Sequence, residues 1–359
     1  MRDQDTWVER VNTRLDQFIT DRESIVREVS PDLEPFLEFS REFLSGGKRF
    51  RASCALLGYG TQHESTPDHV IDVASALEIF HAAALVHDDI MDKSDTRRGI
   101  PAAHRFFENG HRDSGWDGDS EHFGVSSALL FGDFLLALSD LAVARGFRDH
   151  ADRDASFAAR LEFDQMRLDV TAGQYLDIVE ENAWPTVSPE ASLGRAQTVL
   201  TYKSAKYSIE APLVIGASLA GASDSIIASL REFAVPLGNA FQLRDDILGV
   251  FGDPAVTGKP VGDDLSEGKR TVLIALAMKQ LSVAERGTLN ASLGSSSLTE
   301  TDIARIQTQL ESTGARAAVE TMIDEEFDRA LTALERSELA PDNKASLRAL
   351  AERVVVRSA

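Results

Sequence analysis

The feature that most limits what this chain can become is a helical hydrophobic period that runs almost from end to end. In "STPDHVIDVASALEIFHAAALVHDDIMD" (residues 65–92) a Thr66-Pro67 start is followed by apolar residues at three- and four-residue spacings. Proline just inside a start and that spacing are the marks of an amphipathic or buried helix. Ser188-Pro189 announces another helix, which leads into "SLGRAQTVLTYKSAKYSIEAPLVIGASLAG". Thr299 with Asp302 opens a further one, and Gly314 separates it from "ARAAVETMIDEEFDRALTALE". Alternating β patterns and Asn-Gly hairpins are missing, and there is no internal repeat. No linker divides the chain. The expectation is an all-α fold, one large helical bundle, with residues 1–359 as a single domain. The Gly-, Asp- and Ser-rich stretch "ENGHRDSGWDGDSEHFG" (residues 108–124) reads as a long surface loop.

Charge narrows the partners. With 58 acidic against 37 basic residues the net charge is −21, and such a field repels a phosphate backbone, so nucleic acid is not an expected partner. An anionic ligand would need a local basic cluster or metal ions. The single cysteine, Cys54, sits among small apolar residues and reads as a buried packing residue, with no disulfide framework. The N-terminus is charged and has no apolar leader, and the apolar stretch "SSALLFGDFLLALSDLAVA" is broken by Asp133 and Asp140. No membrane-spanning segment is therefore expected, and a cytoplasmic location is.

Two clusters carry the chemistry. In "LVHDDIMDKSDTRRG" (residues 85–99) Asp88 and Asp92 would lie only ~40° apart on one helix face, with Asp89 beside them. Carboxylates this close repel unless a cation lies between them or one is protonated. The plain alternative is an acidic helix end neutralised by Lys93, Arg97 and Arg98. A second cluster, "FQLRDDILGVFGDPAVTGKPVGDDLSEGKRT" (residues 241–271), repeats the theme with Asp245-Asp246, followed by Asp253, Lys259, Asp263, Asp264 and Lys269. Carboxylates without His or Cys partners suit Mg²⁺, which shares its coordination with water and substrate phosphates. "GGKRFRA" lacks the spacing of a P-loop. His87 falls on another face than Asp88 and Asp92 and reads as a packing or hydrogen-bonding residue. His104 reads as an anchor of the turn after the arginines. Trp7, Trp116 and Trp184 show no stacking pattern. "ETMIDEEFDR" reads as a solvated helix face, and Arg353 and Arg357 as a lid or a tail.

The chain resembles the trans-isoprenyl diphosphate synthases, the polyprenyl synthetase family. The resemblance spans nearly the whole length in ordered parts: "GGKRFR", "HDDIMDKSDTRRGIPAAH", "GDFLLA", "GQYLD", "YKSAKY" and "FQLRDD…GDPAVTGK…GDD…GKRT". The "HRDSGWDGD" stretch resembles the actinobacterial geranylgeranyl diphosphate synthases. The resemblance implies a helical bundle of the isoprenoid synthase type with a central active-site cavity. It implies condensation of isopentenyl diphosphate with an allylic diphosphate (dimethylallyl, geranyl or farnesyl), with release of pyrophosphate. It also implies roughly three Mg²⁺ per active site, with Mn²⁺ as an alternative, and a homodimer.

Residue by residue, the resemblance makes Asp88, Asp92 and Asp245 the Mg²⁺ ligands that grip the allylic diphosphate, with Asp89 and Asp246 beside them. Arg97, Lys203 and Lys259 match basic residues on that diphosphate, and Gln242 and Lys269 match its neighbours. Lys48, Arg51, His81 and Arg98 match the pocket for isopentenyl diphosphate. Ser204, Gln174 and Asp177 match residues lining the reaction site. The chemistry would rest on Asp88, Asp92, Asp245, Lys203 and Arg97.

Two features of this sequence bear on the outcome. The second motif has Gly249 where many relatives carry a third aspartate, with Asp253 or Asp263 as candidates to supply nearby negative charge. In the family, the residues before the first motif form the floor of the elongation tunnel. Here Ala83 and Ala84 are small, and the next large side chain on that face is Phe80, one turn (~5.4 Å) deeper. That points to a geranylgeranyl (C20) product, with a longer (C25 or more) or farnesyl product as the alternative. A class I terpene cyclase would need no second diphosphate pocket, and a silent partner subunit would be expected to lose motif aspartates.

Overall fold

The structure is a computed structural model that describes residues 4–253, 261–295 and 297–355. Its chain divides into two compact units. The first holds the residues up to Arg160 together with Ile215–Gly221, and the second holds Leu161–Val214 and the residues from Ala222 onward. As expected, the fold is all-α. The only strands among the described residues are β1 (Thr96–Arg97) and β2 (Ile100–Pro101), a minimal antiparallel pair.

The first unit is organised around α4 (Asp68–Met91), in which every residue from Val70 to Phe80 is buried. A helix closed on all sides cannot show an amphipathic stripe, and its polar residues need partners inside the protein. Asp72 meets Arg14 Nε at 2.8 Å and Arg145 Nε at 3.4 Å. Glu78 accepts the Ala52 backbone N–H at 2.9 Å. Its main neighbour, α6 (Ser120–Arg148), presents Ala128, Gly132, Ser139, Ala142 and Gly146 on one buried stripe. Small residues there let the backbones approach: a Cβ at Gly146 would lie 2.6 Å from the His69 carbonyl oxygen, and one at Gly132 would lie 2.2 Å from His87 Nε2. His87 is thus a packing residue, as the sequence suggests.

Four further helices lie wholly within this unit: α1 (Gln4–Val29), α2 (Glu34–Leu44), α3 (Phe50–Tyr59) and α5 (Ala103–Asp113). Phe39 of α2 stacks on Phe106 of α5 with centroids 4.2 Å apart and lies 5.2 Å from Phe131 of α6. Aromatic pairs of this kind add about 0.5–1.5 kcal/mol each beyond their buried area. Cys54 is fully buried, as expected.

Two sequence expectations fail here. Residues 108–124 are not one long loop: α5 runs to Asp113 and α6 begins at Ser120, where Asp119 caps it by accepting the N–H groups of Glu121 and His122. Glu108 is held between Arg105 and Arg112, so its polar surroundings conceal a helix. The expectation that no stretch is long and apolar enough to cross a membrane is also corrected. By length and composition α4 and α6 both qualify, with 78% and 50% of the apolar window buried inside the protein. For α4 that burial is what a core helix shows.

The second unit contains most of α7 (Arg153–Ala183), then α8 (Pro189–Val199), a π-helix over Leu200–Glu210 and α10 (Asp224–Phe251); α9 (Ala211–Leu219) crosses the boundary between units. After the short α11 (Asp263–Glu267) come α12 (Val272–Gln280), α13 (Val283–Ser292), α14 (Glu300–Ser312), α15 (Ala315–Arg336) and α16 (Pro341–Val355). The Ser188, Thr299 and Gly314 starts all fall where the sequence places them. The core of this unit gathers Leu243, Ile247, Leu273, Leu289, Ile306, Leu310, Val319 and Ile323.

Candidate active site

Asp88 and Asp89 occupy the last turn of α4, and Asp92 is its C-cap, donating its N–H to the Asp88 carbonyl at 2.8 Å. A helix C-terminus carries partial negative charge and is normally balanced by Lys, Arg or His. Here the last turn has no basic residue, so three carboxylates sit where the helix dipole also disfavours them. Asp89 is fully buried and bound by Arg97, whose Nε lies 2.9 Å from Oδ1. The sequence reading put Asp89 among the metal ligands; the structure spends one of its oxygens on holding Arg97.

Arg97 is placed by the β1–β2 hairpin. Arg97 pairs with Ile100, leaving Arg98 and Gly99 as a two-residue loop with φ of 52° and 81°. Positive φ at both positions is the requirement of a type I′ turn, met here by Arg-Gly where Asn-Gly is usual. The hairpin aims Arg98 at the "GGKRFR" segment: a Cβ on Gly47 would lie 3.5 Å from its Nη1. His81 lies in the same region, and loss of solvation together with Arg51, Arg98, Arg97 and Arg49 holds its imidazole neutral, well below the usual histidine range. Arg51, His81 and Arg98 therefore converge on one strongly positive pocket, and Arg97 joins them. Arg49, missed by the sequence reading, is buried, donates to Asn12 Oδ1 at 2.7 Å and faces Glu78 at 4.0 Å. Lys48 is exposed.

In the second unit the π-helix carries Lys203 and Ser204. A wider-than-α backbone is rare and tends to mark functional positions. Two glycines make room for it: a Cβ at Gly173 of α7 would lie 2.4 Å from Lys203 N, and one at Gly238 of α10 would lie 2.7 Å from the Ala205 carbonyl oxygen. Lys203 Nζ donates to Asp177 Oδ2 at 2.5 Å. One turn along α7, Glu181 is pushed up to about 7 by burial and by Asp177, against the opposing pull of Lys203 and Lys269. Gln174 is half-buried on the same helix. Trp184, read as having no stacking role, lies under the Arg270 guanidinium at 4.7 Å.

Asp245 and Asp246 lie near the C-terminal end of α10, whose last turn again has no basic residue. Asp245 is exposed. Asp246 is buried, accepts from Gln242 Nε2 at 2.8 Å, and is raised well above the usual carboxylate range by burial and then by Asp264. Lys269 lies against Glu267 and 3.5 Å from Asp264 Oδ1. Lys259 and Arg357 lie outside the described residues.

Among the described residues no three His, Cys, Asp or Glu side chains converge to hold a metal alone. Mg²⁺ does not require such a cluster, because it takes one or two carboxylates and completes its shell with water and substrate phosphates. The pairs Asp88/Asp92 and Asp245/Asp246, near the ends of helices whose last turns carry no basic residue, have that chemistry. Of the expected tunnel-floor residues, Ala83 is fully enclosed, Ala84 is partly open and Phe80 is buried.

The profile of the Polyprenyl synthetase family matches residues 34–310. The geranylgeranyl diphosphate synthase of Mycobacterium tuberculosis is 30% identical over 302 residues, 83% of this chain and 77% of its own. The geranylfarnesyl diphosphate synthase of Aeropyrum pernix is 34% identical over 241 residues, 66% of this chain and 68% of its own. The crystal structure of a geranylgeranyl pyrophosphate synthase from Corynebacterium glutamicum, complexed with isoprenyl diphosphate and magnesium, matches with a TM-score of 0.91. It is 39% identical and aligns over 99% of this chain and 100% of that one. With its two acidic helix ends, its arginine-lined pocket and the family match spanning most of its length, the chain belongs to the polyprenyl synthetase family.

Proposed function

We propose that this chain is a trans-prenyltransferase that condenses isopentenyl diphosphate with an allylic diphosphate to give geranylgeranyl diphosphate. The observation that carries the reading lies within the first unit: an acidic helix end and an arginine-rich pocket adjoin through Arg97, which is bound to Asp89 and acts on His81. One diphosphate held through metal and a second held by guanidinium groups is what a two-substrate condensation requires. A cyclase needs only the first.

Asp88, Asp92 and Asp245 would hold Mg²⁺, which when bound supplies Lewis-acid charge to the diphosphate oxygens. Arg97, Lys203, Lys259 and Lys269, with Gln242, bind the allylic diphosphate and stabilise the charge that grows on it as its C–O bond breaks. Arg51, Arg98, Lys48 and neutral His81 anchor isopentenyl diphosphate so that its double bond attacks the allylic cation. The proton lost from the adjacent carbon goes to the departing pyrophosphate. On the second unit, Ser204, Gln174 and Asp177 are the residues that the family resemblance assigns to the reaction site.

The family match runs across both units, which supports residues 1–359 as one synthase domain. A homodimer and a cytoplasmic location complete the proposal. Exposed Leu129, Leu130 and Leu141 on α6, and Leu161, Leu168 and Tyr175 at heptad spacing on α7, support self-association.

The test is to incubate the protein with Mg²⁺, isopentenyl diphosphate and each allylic starter in turn, and to measure product length. A C20 product is expected. No consumption of isopentenyl diphosphate with any starter would overturn the reading.

A further inference from the structure

We infer that Glu78 is a positioning residue for the condensation: it holds Arg49 and the first turn of α3, and through them sets where Lys48 and Arg51 meet isopentenyl diphosphate. The inference rests on the reading above, in which the basic pocket of the first unit takes that substrate. Glu78, itself an anion, acts from behind the pocket and not on the diphosphate.

The segment it holds is strained. Gly46, Gly47 and Arg49 have φ of 67°, 87° and 49°, so three residues of four take the left-handed conformation. Glycine adopts it readily, whereas arginine keeps it only where the surroundings over-determine it. Arg49 is 5% exposed, and each of its three guanidinium nitrogens faces an acceptor. Nε donates to Asn12 Oδ1 at 2.7 Å, Nη2 donates to the Leu44 carbonyl, and Nη1 faces Glu78 Oε2 at 4.0 Å. Arg49 is also the N-cap of α3, and its side chain makes no capping bond there. Glu78 supplies one from α4: its Oε1 accepts the Ala52 N–H at 2.9 Å, one of the first-turn donors that a helix start leaves open. Arg51 lies on that same turn. One carboxylate thus fixes both the strained residue that follows Lys48 and the turn that bears Arg51.

The charge at position 78 has a reason of its own. Glu78 is 7% exposed, and an enclosed carboxylate is costly unless paired. A glutamine oxygen would accept the Ala52 N–H as well. The other two acceptors on Arg49 are neutral, however, so Glu78 is the counter-charge in that set. Arg98 draws on it too: burial lowers that guanidinium, Arg97 and Arg51 add to the lowering, and Glu78 opposes them. Glu78 precedes His81 by three residues on α4, which sets the anion one turn behind the imidazole.

The test is steady-state kinetics of the full chain with Mg²⁺, varying isopentenyl diphosphate and the allylic substrate separately. Glu78→Gln keeps the volume and the acceptor for Ala52 but removes the charge. It is expected to raise KM for isopentenyl diphosphate about tenfold, with kcat and the allylic KM changing less than about threefold. Arg49→Met should do the same, and the double variant should lose no more than the worse single one, because the pair acts as a unit. Asn12→Ala, at an exposed position of α1, loosens the same guanidinium and should give a smaller rise of the same kind. If Glu78→Gln does not fold, a wild-type KM in Asn12→Ala would overturn the inference. In folded Glu78→Gln, an unchanged KM would overturn it, as would a lowered one, which loss of an anion beside a basic pocket would give by itself. Equal losses in kcat and both KM values would overturn it as well, leaving Glu78 a stabiliser of the fold. Single effects that add in the double variant would overturn the route through Arg49. Wild-type protein that consumes no isopentenyl diphosphate would instead overturn the parent reading, and this inference with it.

Discussion

Lys203 Nζ rests 2.5 Å from Asp177 Oδ2, joining the π-helix to α7 by a charge-assisted hydrogen bond. The lysine proposed to meet the allylic diphosphate is thus held in place by a carboxylate before any substrate arrives. Its counter-charge must be released, or shared, when the diphosphate binds.

Asp177→Asn should keep the fold and free Lys203 from its anchor. A misplacement of about 1 Å in a positioning group can cost about 100-fold, and a loss of that order in kcat/KM is expected. Lys203→Ala removes the stabilising charge itself and should cost about 100- to 1,000-fold in kcat. Steady-state kinetics of the two variants would check the order. Equal losses would mean that Asp177 does more than hold the lysine.

The π-helix that presents Lys203 depends on Gly173 and Gly238. Alanine at either position puts a Cβ closer to the π-helix backbone than real Cβ atoms come, and both contacts are with backbone, which cannot swing aside. Gly173→Ala and Gly238→Ala should each cost about 1–3 kcal/mol, read as a fall in melting temperature. Gly173→Ala touches the Lys203 backbone directly, so it should also lose activity in the fraction that remains folded, whereas Gly238→Ala should lose less.

Much of this was legible in the chain. The period of residues 65–92 and the Ser188, Thr299 and Gly314 starts give helices where the structure has them, because caps and spacing are local signals. The type I′ turn at Arg98-Gly99 was not legible, since arginine is an unusual choice for positive φ and the strands are two residues long. The helix over Ala103–Asp113 was hidden because its charges pair with one another. Asp89 was read as one of a metal-binding trio, yet its burial and its bond to Arg97 depend on where the hairpin folds back. The approach of Asp264 to Gly249 is likewise a tertiary event that spacing along the chain does not show.

Glu181 gives the site a titration near neutrality. Burial and Asp177 raise its folded value from 4.5 to about 7, so ionising it works against the fold. Its contribution to stability is complete below about 4.5, and is lost as the pH rises through about 7. Once ionised, it sets a second carboxylate beside Lys203, in competition with the diphosphate. KM for the allylic substrate should therefore rise as the pH passes 7, with kcat changing less. Glu181→Gln should flatten that rise, and the comparison with wild type separates it from titration of the substrate. An identical pH profile in the glutamine variant would show that Glu181 does not face the bound diphosphate.

Chain length offers the sharpest separation of neighbours. Ala83 and Ala84 look equivalent in sequence, but Ala83 is fully enclosed and Ala84 is partly open. Positions 80, 84 and 88 follow one another at four-residue spacing along one face of α4, the face that ends at Asp88. Ala84→Phe should therefore shorten the product toward farnesyl, while Phe80→Ala should lengthen it beyond C20. Ala83→Phe forces a ring into packed interior and should cost about 1–3 kcal/mol of stability instead of trimming the product. Chromatography of the products and melting curves of the three variants would decide. If Ala83→Phe shortens the product while Ala84→Phe does not, the floor lies on the other side of α4, and the assignment to Phe80 fails with it.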